Sequence, residues 1–208
     1  MLNKRGILIV VSGFSGAGKG TVVKRIMEKY SDSYALSISM TTRSPRVGEK
    51  DGEHYFFVSR EQFEKTIAEN GLIEHAQYCG NYYGTPKDYV EKQLAAGKNV
   101  ILEIEIQGAL IVKEKNPETL LMFVTPPSAK ELKTRLVGRG TETMEQIEAR
   151  MKRAIDEAPI MDKYDYIVIN DEVENCVDKI HELVDAAKHS ADRNREFIEM
   201  MKKELADL

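Results

Sequence analysis

The strongest chemical signal in the chain is the run Gly13-Phe14-Ser15-Gly16-Ala17-Gly18-Lys19-Gly20, followed by Thr21. Glycines at this spacing let backbone N–H groups turn inward around phosphate oxygens, a helix N-terminus adds partial positive charge, and Lys19 can reach the outer phosphates of a nucleotide. The run follows an apolar segment and opens a helical pattern, which is the context a phosphate-cradling loop requires. An ordinary glycine-rich turn would need neither the complete spacing nor the lysine. The position after the lysine, where a hydroxyl commonly ligates Mg²⁺, is Gly20. Direct ligation there is not expected, and water can fill the metal's shell instead.

A second group of residues suits a small phosphorylated ligand. Arg43 and Arg46 stand three apart beside Ser39, Thr41, Thr42 and a turn fixed by Pro45. Guanidinium forks bind phosphate bidentately, and Tyr55 and Tyr83 could add hydroxyl donors. Taken alone, the two arginines could equally be a solvated basic loop; beside a phosphate loop the binding reading gains weight. Arg135, Arg139, Arg150 and Arg153 lie farther on, around Gly138 and Gly140. His54, His75, His181 and His189 show no paired spacing and read as surface or packing residues. No general base is needed if the acceptor is a phosphomonoester, whose second pKa of about 6 leaves it largely a dianion at neutral pH.

These residues need a scaffold, and the apolar patterning supplies one. Residues 7–11, 99–104, 120–124 and 166–169 read as buried strands, each followed by a helical pattern. Val22, Val23, Ile26, Met27 and Tyr30 mark one helix face; Val173, Val177, Ile180, Val184 and Ala187 mark another; Ser128 is placed to cap a helix over 129–137. Alternating strand and helix predict an α/β fold, a parallel sheet flanked by helices. Two stretches break the rhythm. Residues 37–90 hold short β-like pieces, a hairpin turn at Cys79-Gly80-Asn81, a capping box from Ser59 to Gln62, and Thr85-Pro86 placed as N-cap and first helical residue. Residues 136–158 carry the two glycine hinges and a capping box from Thr143 to Gln146, the pattern of a mobile lid. One domain is expected, with core 1–36, 91–135 and 159–208, insertion 37–90 and lid 136–158, and the charged tail from 188 reads as a solvated helix end.

Composition narrows the classes further. The chain has 208 residues, 42% hydrophobic and 31% charged, with a formal net charge of -4. That balance disfavours disorder and broad nucleic-acid binding, and no apolar run reaches membrane-spanning length. The short basic and apolar start lacks a secretory cleavage pattern, and Cys79 and Cys176 have no metal-ligand spacing, so a cytoplasmic setting is expected.

The chain resembles the guanylate kinases from Ile7 to about Asn175. The matching motifs are Ser-x-Ser-x-Thr-Thr-Arg-x-Pro-Arg from Ser37, Asp51-Gly52, Tyr55-Phe56-Phe57-Val58-Ser59, Gly80-Asn81-Tyr82-Tyr83-Gly84-Thr85, Gln107-Gly108-Ala109, Pro126-Pro127-Ser128, Arg135-Leu136-x-x-Arg139-Gly140-Thr141 and Asn170-Asp171. The resemblance implies transfer of the γ-phosphoryl group of ATP to GMP, with Mg²⁺. It implies that Ser39, Glu74, Thr85 and Glu103 read guanine and that Arg43, Arg46, Tyr55 and Tyr83 hold the GMP phosphate. The loop from Gly13 to Thr21 with Arg135, Arg139 and Asn170 would take ATP. Lys19, Arg43, Arg139 and Arg150 would be the catalytic groups, with Arg153 a solvated neighbour. Glu74 is chemically apt, because guanine offers two donors that an ionised carboxylate accepts and adenine does not. Two departures stand out. Gly20 precedes Thr21 as in the similar loop of adenylate kinases, and Glu105 replaces a frequent Asp, where it could order metal-bound water. Competing readings are a catalytically inactive guanylate-kinase-like module that binds a phosphorylated partner, and a kinase for another small acceptor. The intact loop speaks against the first and Glu74 against the second. Monomer and homodimer are both open.

Overall fold

The computed structural model describes residues 4–78, 80–138, 140 and 142–208. The first apolar run forms β1 (Leu8–Gly13), which leads through the glycine loop into α1 (Lys19–Lys29) and β2 (Tyr34–Leu36). Then come β3 (Met40–Thr41), β4 (Phe56–Phe57), α2 (Arg60–Ala68), β5 (Leu72–Tyr78), β6 (Asn81–Pro86) and α3 (Lys87–Ala95). The second half contributes β7 (Asn99–Glu103), α4 (Ile106–Lys115), β8 (Leu120–Thr125), α5 (Ala129–Gly138), α6 (Met144–Glu157), β9 (Tyr166–Ile169), α7 (Val173–Lys188) and α8 (Arg195–Ala206).

The larger sheet has the order β2-β7-β1-β8-β9, and its strands are all parallel. Ile7, Ile9 and Val11 pack with Val22, Ile26, Val177 and Ile180 of α1 and α7 on one face. Leu8 and Val10 pack with Val90, Leu94, Ala109 and Val112 of α3 and α4 on the other. Burial on both faces explains why the strands read as continuous apolar runs without alternation. At the carboxyl ends of these strands stand Gly13, Glu103, Thr125 and Ile169, the edge where open α/β sheets bind ligands.

The smaller sheet, β4-β3-β6-β5, is built wholly from residues within 37–90. β5 and β6 form the expected hairpin, with Tyr78 opposite Asn81; Cys79 lies outside the described residues. Ser59 caps α2 by accepting from Gln62 N–H, and Thr143 and Gln146 complete a reciprocal capping box on α6.

Three expectations change. β2 was not foreseen as a strand: it is three residues long and pairs only with β7. Thr85 does not cap a helix, because the hairpin register carries β6 through to Pro86, which is itself the N-cap of α3. The tail does not continue α7; a short 3₁₀ turn at Asp192–Asn194 separates the two helices, and Arg193 donates to the carbonyls of Arg5 and Gly6.

Candidate active site

The turn from β1 into α1 is shaped by what lies beneath it. Gly18, the N-cap of α1, has φ 90°, and a Cβ there would stand 2.6 Å from Asn170 Nδ2. Asn170 is 3% exposed and donates its amide to the Ala17 carbonyl at 2.8 Å, so the residue after β9 forms the floor of the loop. The side chain expected to contact the nucleotide thus gives its Nδ2 to the loop's own backbone. The first bond of α1 runs from Val22 N–H to the Gly18 carbonyl, and no side chain caps the helix. The N–H groups of Gly16, Gly18, Lys19, Gly20 and Thr21 therefore have no hydrogen-bond partner among the described residues. Open donors at the positive end of a helix suit phosphate oxygens.

Lys19 bends back over this loop and donates to the carbonyls of Gly13 at 2.7 Å and Phe14 at 3.1 Å. Burial lowers its pKa, while Glu105, Glu103 and Glu157 pull it upward. Arg135 stands at the loop's flank, donating to the Asn170 carbonyl and to Glu131, each at 2.9 Å. From α6, Arg150 reaches Ser15 Oγ at 2.8 Å and pairs with Glu142. Arg153, expected as a solvated neighbour, bridges Glu105 at 2.5 Å and Glu157 at 2.7 Å while staying 59% exposed. It ties α6 to the start of α4. Arg139 lies outside the described residues. Gly138 closes α5 and Gly140 has φ 64°; a Cβ at either would meet nothing within 4 Å.

Where the smaller sheet meets the carboxyl end of β7 there is a cavity of about 170 Å³, lined by Ser37, Ser39, His54, Tyr55, Thr85 and Glu103 among polar groups and by Leu36, Leu102 and Ile104. Behind Thr85 lies Glu74, 7% exposed, which accepts from Thr85 Oγ1 at 2.6 Å. Burial raises the Glu74 pKa, and the Thr85 hydrogen bond opposes that rise. Glu103 is reached by solvent yet crowded enough for burial to raise its pKa against the pull of Lys19. Its Oε1 is 3.5 Å from where a Cβ of Gly20 would stand, so one carboxylate borders both the cavity and the phosphate loop.

Two lining residues were not anticipated in these roles. Ser37 Oγ is buried with no partner among the described residues. His54, expected to be incidental, accepts the Lys50 N–H on Nδ1 at 3.1 Å, which leaves Nε2 protonated in the neutral ring. For Ser37 a signal existed: in extended chain it shares a face with Ser39, two residues on.

Arg43 occupies the outer part of the same region. Its Nη1 and Nη2 each pair with a carboxylate oxygen of Glu49 at 2.9 Å, and its guanidinium lies over the rings of Tyr55 at 5.4 Å and Phe57 at 5.8 Å. The Tyr55 and Tyr83 rings are 6.2 Å apart, edge to face. Arg46 is exposed, and its backbone N–H donates to Glu49 at 2.7 Å. Arg43, Tyr55 and Tyr83 are thus brought together, whereas the Arg46 side chain projects to solvent.

Comparison with known proteins matches this geometry to one family. The family model described as guanylate kinase matches residues 5–187. The chain is 53% identical over 194 residues to a guanylate kinase of Clostridium perfringens, covering 93% of this chain and 89% of that one. It is 56% identical over 183 residues to a guanylate kinase of Bacillus subtilis, covering 88% and 90%. The crystal structure of guanylate kinase from Anaplasma phagocytophilum superposes with a TM-score of 0.74 at 30% identity, covering 97% of this chain and 96% of that one.

Proposed function

The chain belongs to the guanylate kinase family and catalyses transfer of the γ-phosphoryl group of ATP to GMP, giving ADP and GDP; on that premise we propose how its residues divide the work. GMP occupies the cavity between the two sheets. Glu74 accepts the N1–H and N2–H donors of guanine, with Ser39, Thr85 and Glu103 completing the polar wall. Adenine would set a lone pair against the carboxylate, and that mismatch in a buried site gives base selectivity. Arg43, Arg46, Tyr55 and Tyr83 hold the GMP phosphate, Arg46 by turning inward from solvent. One observation carries this reading: Glu103 lines the base cavity and also borders the phosphate loop at Gly20, so acceptor and donor sites adjoin.

ATP lies along the loop from Gly13 to Thr21, where Phe14, Ser15, Gly16 and Ala17 supply backbone and Lys19 swings from the Gly13 and Phe14 carbonyls to phosphate oxygens. Arg135 and Arg150 serve the triphosphate, Arg139, outside the described residues, is assigned to it by the family resemblance, and Asn170 acts on it by holding the loop. The transition state spreads negative charge over the phosphoryl oxygens. Arginines delivered by closure of residues 136–158, with residues 37–90 carrying GMP, stabilise that charge and exclude water from the core formed by 1–36, 91–135 and 159–208.

Mg²⁺ belongs to the same proposal. Among the described residues no group of three or more His, Cys, Asp or Glu is arranged for a metal, and Gly20 offers no hydroxyl. Such a donor set suits an ion that arrives on the triphosphate and keeps its waters. Glu103 and Glu105, whose charges already act on Lys19, would hold those waters. When bound, the ion would supply positive charge that offsets the negative charge of the phosphoryl oxygens. We place the reaction in the cytoplasm, a reducing setting that suits the free, buried Cys176.

Lys19→Ala and Arg43→Ala test the assignment. Each is expected to lower turnover about 100-fold or more, since both groups act on transferring charge, with little change in melting temperature. Wild-type rates in either variant would remove that residue from the site.

A further inference from the structure

We propose that Glu49 is the positioning residue of the GMP-phosphate subsite, gripping one edge of Arg43 so that the guanidinium presents its other edge to the phosphate. The inference rests on the assignment of Arg43 above. A guanidinium offers two edges for bidentate contact, the Nη1/Nη2 end and the Nε/Nη2 side. Glu49 takes the end, with Oε2 on Nη1 and Oε1 on Nη2, both at 2.9 Å. The second hydrogen of Nη1 goes to the Ser44 carbonyl at 2.8 Å. Nε–H and the remaining Nη2–H are taken by neither Glu49 nor Ser44.

The open side edge lies among the groups assigned to the same phosphate. The guanidinium carbon lies over the Tyr55 and Phe57 rings, and after Glu49 the Tyr83 hydroxyl is a further side-chain partner that raises the Arg43 pKa. Glu49 fixes the second arginine as well. It accepts the Arg46 N–H at 2.7 Å while its own N–H donates to the Arg46 carbonyl at 3.0 Å, closing the turn that sets where Arg46 leaves the chain. Arg43 first and the Arg46 N–H second push the Glu49 carboxyl down to about 2, so it stays ionised throughout the working range of pH. A long, rotamer-rich side chain ordered before the ligand arrives loses less freedom on binding it.

The opposite role can be told apart by sign. As a mere competitor for Arg43, Glu49 would repel the incoming dianion, and its neutralisation would tighten GMP binding. As a positioning residue, its neutralisation loosens Arg43 and weakens binding. The experiment is steady-state ADP release with GMP and ATP varied separately, for Glu49→Gln and Glu49→Asp, alone and combined with Arg43→Ala. Glu49→Gln is expected to raise KM for GMP about tenfold, the scale of one charge-assisted contact, with kcat changed less and KM for ATP within about twofold. Glu49→Asp, which keeps the charge, falls between Gln and wild type, and in the Arg43→Ala background Glu49→Gln shifts KM less than about twofold. A KM for GMP at or below wild type in Glu49→Gln, or an equal shift without Arg43, overturns the role of Glu49. Wild-type kinetics in Arg43→Ala alone would overturn the site assignment beneath it, a distinct result.

Discussion

Burial raises the pKa of the Glu74 carboxyl, while the donors of guanine require its ionised form. In the folded chain the proton is held more tightly than in the unfolded one, so Glu74 costs stability as pH rises from its unfolded pKa through its raised folded value. GMP binding works against that bias and should release a proton wherever the free site is protonated. KM for GMP is therefore expected to climb as pH falls below neutrality, beyond the rise due to the phosphate's own titration. Glu74→Gln should show a KM for GMP about tenfold higher at pH 8, on the scale of a lost charge-assisted bond, and only the phosphate's share of the pH dependence. KM for ATP measured in parallel should not move. An unaltered GMP profile in Glu74→Gln would take the base-reading role from this residue. Glu74 itself was legible only through family motifs, because a lone glutamate on a strand is ordinarily a surface residue. Its pairing with Thr85 depends on hairpin register, and linear spacing carries no register across a turn.

At the scale of elements, the phosphate loop depends on a contact between the end of β9 and the start of α1. Asn170→Ala would leave the Ala17 carbonyl without its buried donor, at a cost of about 1–3 kcal/mol. For a chain of this size that lowers the melting temperature by about 2–10 °C. The loop would also lose its floor, so KM for ATP should rise severalfold while KM for GMP stays near wild type. Thermal melting with two-substrate kinetics checks this, and a rise confined to GMP would contradict the placement. The loop, α1, the side-chain N-caps at Ser59 and Thr143 and four of the larger sheet's strands were legible because each has a local cause: periodicity, a cap or a glycine at a turn. β2 was not, since Tyr34–Leu36 gains its pairing only from distant Asn99–Ile101. Thr85-Pro86 misled for the same reason. The dipeptide fits a helix start equally well, and only pairing with β5 decides that Thr85 stays in a strand and gives its hydroxyl to Glu74.

The molecule as a whole sets two chemistries at one edge. The parallel sheet brings the phosphate loop, Glu103 and the Asn170 floor to the carboxyl ends of its strands, and the smaller sheet adds Glu74, Thr85 and Arg43 beside them. Residues far apart in the chain meet there because β7 and β8 flank β1, an order that strand–helix alternation does not reveal. The contacts of α6 follow the same logic. Arg150 touches Ser15 and Arg153 touches Glu105, so α6 bears on the donor side from outside the sheet. The central claim, that this edge couples ATP to a guanine nucleotide, is tested most directly by ADP release with ATP and Mg²⁺ when GMP, AMP, CMP and UMP are offered separately at equal concentration. Turnover with GMP at least about 100-fold above the others is expected from a buried, mismatched donor–acceptor pattern. Equal turnover with all four would contradict guanine reading by Glu74 and its neighbours, and no turnover with any would contradict phosphoryl transfer itself.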